Sequence, residues 1–200
     1  MCPRTFTEDS LDMVFGVNYV GPFYLTKLLT PLLKRSSPSR VVNVASGGYS
    51  SGRLNLEDLN GDRKKASSYD MWQTYCDSKL AVLLWTREMA KRNVPNIRCF
   101  AAHPGTVRTN IMRHWTGMSG LFLNTVSSLF FRSPEGGAQT IIDCAVRHDV
   151  DQHSGRYFED CEMTEVTDAA ADAQFAMRLW AKTESLVNSR LAGTRGGAGS

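Results

Sequence analysis

Two hundred residues, 42% of them apolar and 22% charged, describe an ordinary globular chain with enough material for one hydrophobic core and too little for two domains. The 23 basic and 20 acidic residues nearly cancel and are scattered along the chain, which argues against nucleic acid as a partner. Cys2, Cys76, Cys99, Cys144 and Cys161 form no Cys-x-x-Cys pair, and the four histidines show no His-Glu-x-x-His spacing. Reduced thiols in an intracellular compartment and no metal site are therefore expected.

From Thr7 to Leu33 the spacing of apolar residues predicts a helix, capped by Thr7 or Ser10 and kinked at Gly21-Pro22. Arg40-Val41-Val42-Asn43-Val44-Ala45-Ser46 is β-branched and reads as a buried strand. Residues 47–70, rich in glycine and carrying the basic patch Arg63-Lys64-Lys65, read as loop. Residues 71–92 return to helical spacing and end near Asn93 and Pro95. Ile97 to Ala102 is a second strand, closed by His103-Pro104-Gly105. The apolar stretch Leu121 to Phe131 is interrupted by Asn124, Thr125, Ser127 and Ser128 and is too short to span a bilayer. Ser133-Pro134-Glu135 starts a helix that runs to about Arg147, because a capping hydroxyl, a proline and a carboxylate all suit a first turn. Gly155 to Phe158 is a third strand, a last helix covers about Asp172 to Val187, and Ala192 to Ser200 reads as a flexible tail. Alternating strands and helices predict an α/β fold with a parallel sheet.

The chemistry concentrates at Tyr75-Cys76-Asp77-Ser78-Lys79, since residues four apart share a helix face. A phenol titrates near 10, too high for easy proton exchange at neutrality, and a nearby ammonium favours the phenolate. At about 4 Å and an effective dielectric near 20 the attraction is roughly 4 kcal/mol before screening. A Tyr-x-x-x-Lys spacing arises by chance in roughly one such chain in five, so context matters. Here the pair lies between two strands ending at Ser46 and at Pro104-Gly105, and ligands of open α/β sheets bind outside such ends.

Together with Val17-Asn18-Tyr19-Val20-Gly21, Arg40 to Ser46 and His103-Pro104-Gly105-Thr106-Val107-Arg108-Thr109, the Tyr75 to Ala81 segment resembles the short-chain dehydrogenase/reductase family and its retinol-dehydrogenase-like branch. Ser133-Pro134-Glu135, Ser154 to Phe158 and Arg178-Leu179-Trp180 extend the resemblance to about residue 188. It implies a partial Rossmann-like doubly wound parallel sheet and a hydride transfer between NADP(H) or NAD(H) and a lipophilic alcohol, aldehyde or ketone. It implies that Tyr75 exchanges the substrate proton, that Lys79 lowers its pKa and holds the nicotinamide ribose, and that Ser46 bonds the substrate oxygen. Asn18 would order a water between Lys79 and solvent, and Pro104, Gly105, Val107 and Thr109 would line the nicotinamide carboxamide. Bland readings stand beside these: Asn18 as a partner for backbone freed at the kink, Ser46 as a turn residue with Ser50 or Ser51 in its role, and the Met112 to Phe131 aromatics as a flap on the core.

No Gly-x-Gly-x-x-Gly precedes these motifs, and Gly193 to Gly199 has no helix after it. By the resemblance, Met1-Cys2-Pro3 aligns just after the family's Asn-Asn-Ala-Gly segment, so the expectation is a partial catalytic and substrate-binding domain over residues 1–191 with a tail at 192–200. The Ser46 strand should then present an open edge. The alternative reading is a non-catalytic form that pairs with full-length relatives as a homo- or hetero-oligomer. The expected location is cytoplasmic or peripheral to an intracellular membrane.

Overall fold

The computed structural model describes residues 2–63, 66–92, 96–107 and 132–196. Lys64 and Lys65 of the basic patch, the helix end at Asn93 and Pro95, the segment 108–131 with Thr109 and its aromatics, and the last four residues lie outside the described residues.

The first helix begins later than its apolar spacing predicts. Asp12, not Thr7 or Ser10, caps it: its Oδ1 accepts the Phe15 N–H at 3.0 Å. Ser10 sits at φ 57°, and Thr7 instead closes a turn in which its carbonyl accepts the Ser10 N–H and its Oγ1 the Leu11 N–H. Helix α1 (Met13–Phe15) then passes into a π-helical turn at Gly16–Val20 before α2 (Gly21–Arg35). Pro22 is the physical cause, because it has no N–H to give the carbonyl four residues back and its ring crowds that carbonyl. The chain answers with one wide turn, in which the Gly21 N–H bonds the Gly16 carbonyl five residues back.

Strand β1 (Ser39–Val44), helix α3 (Met71–Lys91), strand β2 (Ile97–His103), helix α4 (Pro134–Val146) and strand β3 (Tyr157–Glu159) follow the expected order. Strands β1, β2 and β3 are parallel neighbours, with Val42 opposite Phe100 and His103 opposite Glu159. A fourth strand, β4 (Glu162–Thr164), turns back antiparallel on β3 and escaped the sequence reading. It is three residues long, and its two-residue turn uses Asp160 and Cys161 at φ 55° and 63° where Asn-Gly is the usual signal. Helix α4 holds this turn from the side: Thr140 Oγ1 accepts the Cys161 N–H at 3.2 Å. Helices α5 (Asp168–Ala171) and α6 (Ala173–Gly196) close the chain, α6 extending past Val187. Among the described residues β1 is an outer strand of the sheet.

The architecture is α/β, with helices on both faces of a mainly parallel sheet, as in part of a doubly wound Rossmann-like fold. Alternation along the strands divides the core. Cys99 and Ala101 join the cluster under α3, while Phe100 and Ala102 join Cys144 of α4 and Phe158 on the other face. Edge-to-face rings tie α2, α3 and α6 together: Phe23 lies 5.8 Å from Trp85 and 4.9 Å from Trp180. The fully buried Tyr19 finishes this layer by a 2.7 Å hydrogen bond between its hydroxyl and Thr183 Oγ1.

The loop after β1 reaches α3 through Gly52, where an added Cβ would stand 2.6 Å from the Leu80 Cβ and 2.9 Å from the Cys76 carbonyl oxygen. Backbone cannot yield there as a side-chain tip can. Gly52→Ala should therefore lower stability by about 1–3 kcal/mol in a urea denaturation measurement.

Candidate active site

Helix α3 carries two of the four proposed catalytic side chains, and its start is sharply defined. Asp70 Oδ1 accepts the N–H groups of Trp72 and Gln73 at 2.8 and 3.1 Å, which satisfies donors that the first turn leaves open. One turn later Tyr75 is buried beneath Trp72, whose ring stacks on it at 5.8 Å. The Ser46 hydroxyl lies beside the Tyr75 ring: a Cβ added at Gly48 would stand 3.6 Å from Ser46 Oγ and 3.4 Å from Tyr75 Cε1. Ser46 also accepts the Gly48 N–H at 3.3 Å, because the chain leaving β1 winds at once into a 3-10 turn at Gly47–Ser51. Burial raises the Tyr75 pKa above the usual 10, and Ser46 pulls it back in part.

One further turn along α3, Lys79 places its Nζ 5.7 Å from the Tyr75 ring centroid. Its ammonium donates to the Val44 carbonyl at 3.0 Å, at the end of β1. Desolvation lowers its pKa to about 8. The groups that move Tyr75 are burial, Ser46 and Cys76, so the ammonium in this position is a neighbour of the phenol and not its main electrostatic partner.

Asn18 stands in the π-helical turn, where α1 meets α2. Its Nδ2 donates to Ser78 Oγ at 3.0 Å, and Ser78, fully buried, donates in turn to the Tyr75 carbonyl at 2.7 Å. Asn18 is thus tied to the helix that carries Tyr75 and Lys79. Ser50 and Ser51 are exposed, with the Ser50 hydroxyl spent on the Gly47 carbonyl at 3.0 Å; of the serines after β1 it is Ser46 that lies beside the Tyr75 ring.

Pro104, Gly105 and Val107 form the turn leaving β2, and Thr109 lies outside the described residues. Gly105 has φ +76°, and an added Cβ would meet the Arg132 side chain at 3.0 Å. The turn is clamped by the residues before α4: the Arg132 N–H bonds the Thr106 carbonyl at 2.9 Å, and Gly137 lets Val107 come within 2.3 Å of where a Cβ would be. His103, which carries no expected role beyond closing β2 and opening the His103 to Thr109 segment, sits between this turn and Gly47. Its place directly before Pro104-Gly105 was the available signal.

Among the described residues no group of three or more His, Cys, Asp or Glu is arranged to hold a metal ion, and no helix is long and apolar enough to cross a membrane.

The chain is 46% identical over 189 residues to retinol dehydrogenase 14 of Mus musculus, a match covering 93% of this chain and 55% of that protein. It is 41% identical over 197 residues to retinol dehydrogenase 13 of Mus musculus, covering 96% of this chain and 58% of that one. A solved structure of an uncharacterised protein from Mycobacterium paratuberculosis superposes with a TM-score of 0.68 at 29% identity, covering 94% of this chain and 63% of the other. The chain spans about half the length of the relatives it matches. No protein-family model matches it.

The desolvated Lys79 supplies a direct check. Reaction with an amine-specific reagent, followed by peptide mass mapping, should rise with a midpoint at about pH 8 for Lys79, well below the ordinary lysine value near 10.5 shown by exposed lysines.

Proposed function

Because the chain belongs to the short-chain dehydrogenase/reductase family, in its retinol-dehydrogenase-like branch, we propose that it carries the proton-transfer part of an oxidoreductase. The reaction is a hydride transfer between NADP(H) or NAD(H) and a lipophilic alcohol, aldehyde or ketone. The observation that carries this reading is the Tyr75 ring and the Ser46 hydroxyl meeting at Gly48, with Lys79 one turn along the same helix, at the C-terminal ends of two parallel strands.

In reduction, Tyr75 gives its hydroxyl proton to the carbonyl oxygen of the substrate, and in oxidation it takes the proton back. Ser46 bonds the same oxygen and stabilises the negative charge that develops on it. Burial disfavours a lone phenolate, so the proton leaves Tyr75 readily only when the Lys79 ammonium turns from the Val44 carbonyl toward it. Asn18 holds the end of this relay, ordering a water between Lys79 and solvent from its place on the π-helical turn. The donor set suits a dinucleotide: an ammonium and a phenol for ribose hydroxyls, and the backbone of the Pro104, Gly105 and Val107 turn, with Thr109, for a carboxamide. When bound, the cofactor supplies or accepts the hydride. A cytoplasmic place, or one at the surface of an intracellular membrane, goes with this reading.

A second reading, a non-catalytic form that pairs with longer relatives, is favoured by a separate observation. Strand β1 is an outer strand, and α2 beside it exposes Leu25, Leu28 and Leu32 by half or more.

Fluorescence titration of the purified chain with NADPH and NADH decides between them. Binding, with Tyr75→Phe lowering turnover at least about 100-fold at unchanged cofactor affinity, supports the oxidoreductase. No binding at millimolar cofactor, together with co-purification of a longer relative, supports the second reading.

A further inference from the structure

The ends of three parallel strands stand in a row at this site: Ser46 follows β1, His103 ends β2, and Glu159 ends β3 opposite His103 in the register. The His103 side chain is 12% exposed, and its ring lies over Tyr157 at 6.5 Å with an interplanar angle of 19°. Its two nitrogens have different surroundings. Nδ1 is enclosed and has no hydrogen-bond partner among the described residues. Nε2 is open, at the ring edge that faces the exposed Gly47, and lies 3.7 Å from Glu159 Oε1, too far for a hydrogen bond. A Cβ at Gly47 would stand 3.5 Å from Nε2 and 3.9 Å from Cδ2, so the glycine leaves a gap between the imidazole and the turn that begins at Ser46. Lys79 bears on the same ring, its charge being one of those that depress the His103 pKa.

We infer that His103 is a specificity-determining residue of this site: its Nε2–H donates a hydrogen bond, through the gap that Gly47 leaves, to a carbonyl oxygen of the molecule seated beside Ser46. The inference rests on the functional reading above. Two sources offer such an oxygen, the carboxamide of the nicotinamide ring and the lipophilic aldehyde or ketone.

A neutral imidazole carries its proton on one nitrogen only. On Nδ1 it would be a buried N–H without an acceptor, whereas on Nε2 it faces the Glu159 carboxylate. Glu159 is held in turn by Tyr157, whose hydroxyl donates to its other oxygen at 3.2 Å. The carboxylate thus sets which nitrogen bears the proton, and at 3.7 Å it does not consume the donor. Burial lowers the His103 pKa below its usual 6.5, with Arg132 and Lys79 acting in the same sense and Glu159 and Asp160 opposing, so the ring is neutral at pH 7. Protonation at lower pH adds a hydrogen at Nδ1 and leaves the one on Nε2 in place, so donation does not depend on the charge of the ring.

The test is nitrogen-15 NMR of the histidine side chains in the full chain, with His103→Gln assigning the His103 signals by their loss. The expected free protein has a protonated Nε2 and a bare Nδ1. The Nε2 resonance moves on addition of nicotinamide mononucleotide or of 2-octanone, the responding probe naming the source of the oxygen. Glutamine carries an amide nitrogen near the Nε2 position and asparagine one near Nδ1. His103→Gln should therefore hold affinity for that probe within about threefold, while His103→Asn should lose about tenfold. Gly47→Ala sets a methyl in ordinary contact with the ring, so it should keep the fold by circular dichroism and lose about tenfold in affinity by closing the gap. A bare Nε2 in the free protein overturns the inference by itself. So does an Nε2 that stays still, or wild-type affinity in His103→Asn and Gly47→Ala, while the amides of Ser46, Gly48 and Tyr75 respond, outcomes that leave the functional reading in place. Silence of every site residue with both probes overturns the two together.

Discussion

The hydrogen bond from Asn43 Nδ2 to Thr86 Oγ1, 2.8 Å long and buried, fixes how far helix α3 slides along strand β1. Apolar contacts alone would tolerate a shift, because Leu80, Leu83 and Leu84 present similar surfaces one turn apart. A buried amide has no such freedom, since moving it by one turn strands both partners. Thr86 is itself anchored to its own helix through the Val82 carbonyl at 2.8 Å. From this fixed point α3 runs back about 16 Å to Tyr75 at 1.5 Å per residue, while β1 runs forward about 10 Å to Ser46 at 3.3 Å per residue. Helix and strand are antiparallel, so both distances lead to the same end of the sheet and bring Tyr75 beside Ser46 at Gly48.

That end of the molecule was legible in the sequence to the extent that local pattern decides structure. The β-branched run at 40–44, the helical spacing of residues 71–92 and the Ser133-Pro134-Glu135 cap all specify their own conformation, and the structure places a strand, a helix and a helix start there. That Tyr75 and Lys79 share a helix face follows from spacing, while the roles expected of them come from the resemblance. What the sequence left unseen depends on partners distant along the chain. Asp160 and Cys161 hold a left-handed turn because Thr140 and Arg147 bind Cys161 from α4, a condition that no three-residue window reveals. Ser10 loses the cap to Asp12 for a comparable reason: Asn60 Oδ1 accepts the Asp12 N–H at 2.8 Å and its Nδ2 donates to the Ser10 carbonyl at 3.0 Å.

The π-helical turn shows a local rule with a non-local use. Gly21-Pro22 announces a break in the helix, and a simple kink is the ordinary expectation. A wide turn answers the same missing N–H, and it rotates Asn18 relative to a regular helix. Its amide then meets Ser78, the residue directly before Lys79. Proline on one helix thereby helps to seat the helix that carries Tyr75 and Lys79. The reach of this effect depends on Ser78 being small, fully buried and bonded to the Tyr75 carbonyl, so that the contact bears on backbone and not on a movable side chain.

Lys79 occupies the position where sheet and site compete. In a parallel pair the N–H and C=O of one residue point to the same side, and the N–H groups of Ser39 and Ala45 bond toward β2. Arg40, Val42 and Val44 therefore direct their backbone groups outward, and the ammonium of Lys79 covers the Val44 carbonyl at 3.0 Å. A lysine is an effective guard for a strand edge. Burial raises the Tyr75 phenol and Ser46 offsets only part of the rise, so an ammonium freed from the strand edge would favour the phenolate. A strand placed beside β1 would give the Val44 carbonyl an N–H of its own and leave the ammonium to Tyr75, which makes the state of the sheet edge part of the electrostatics of the site.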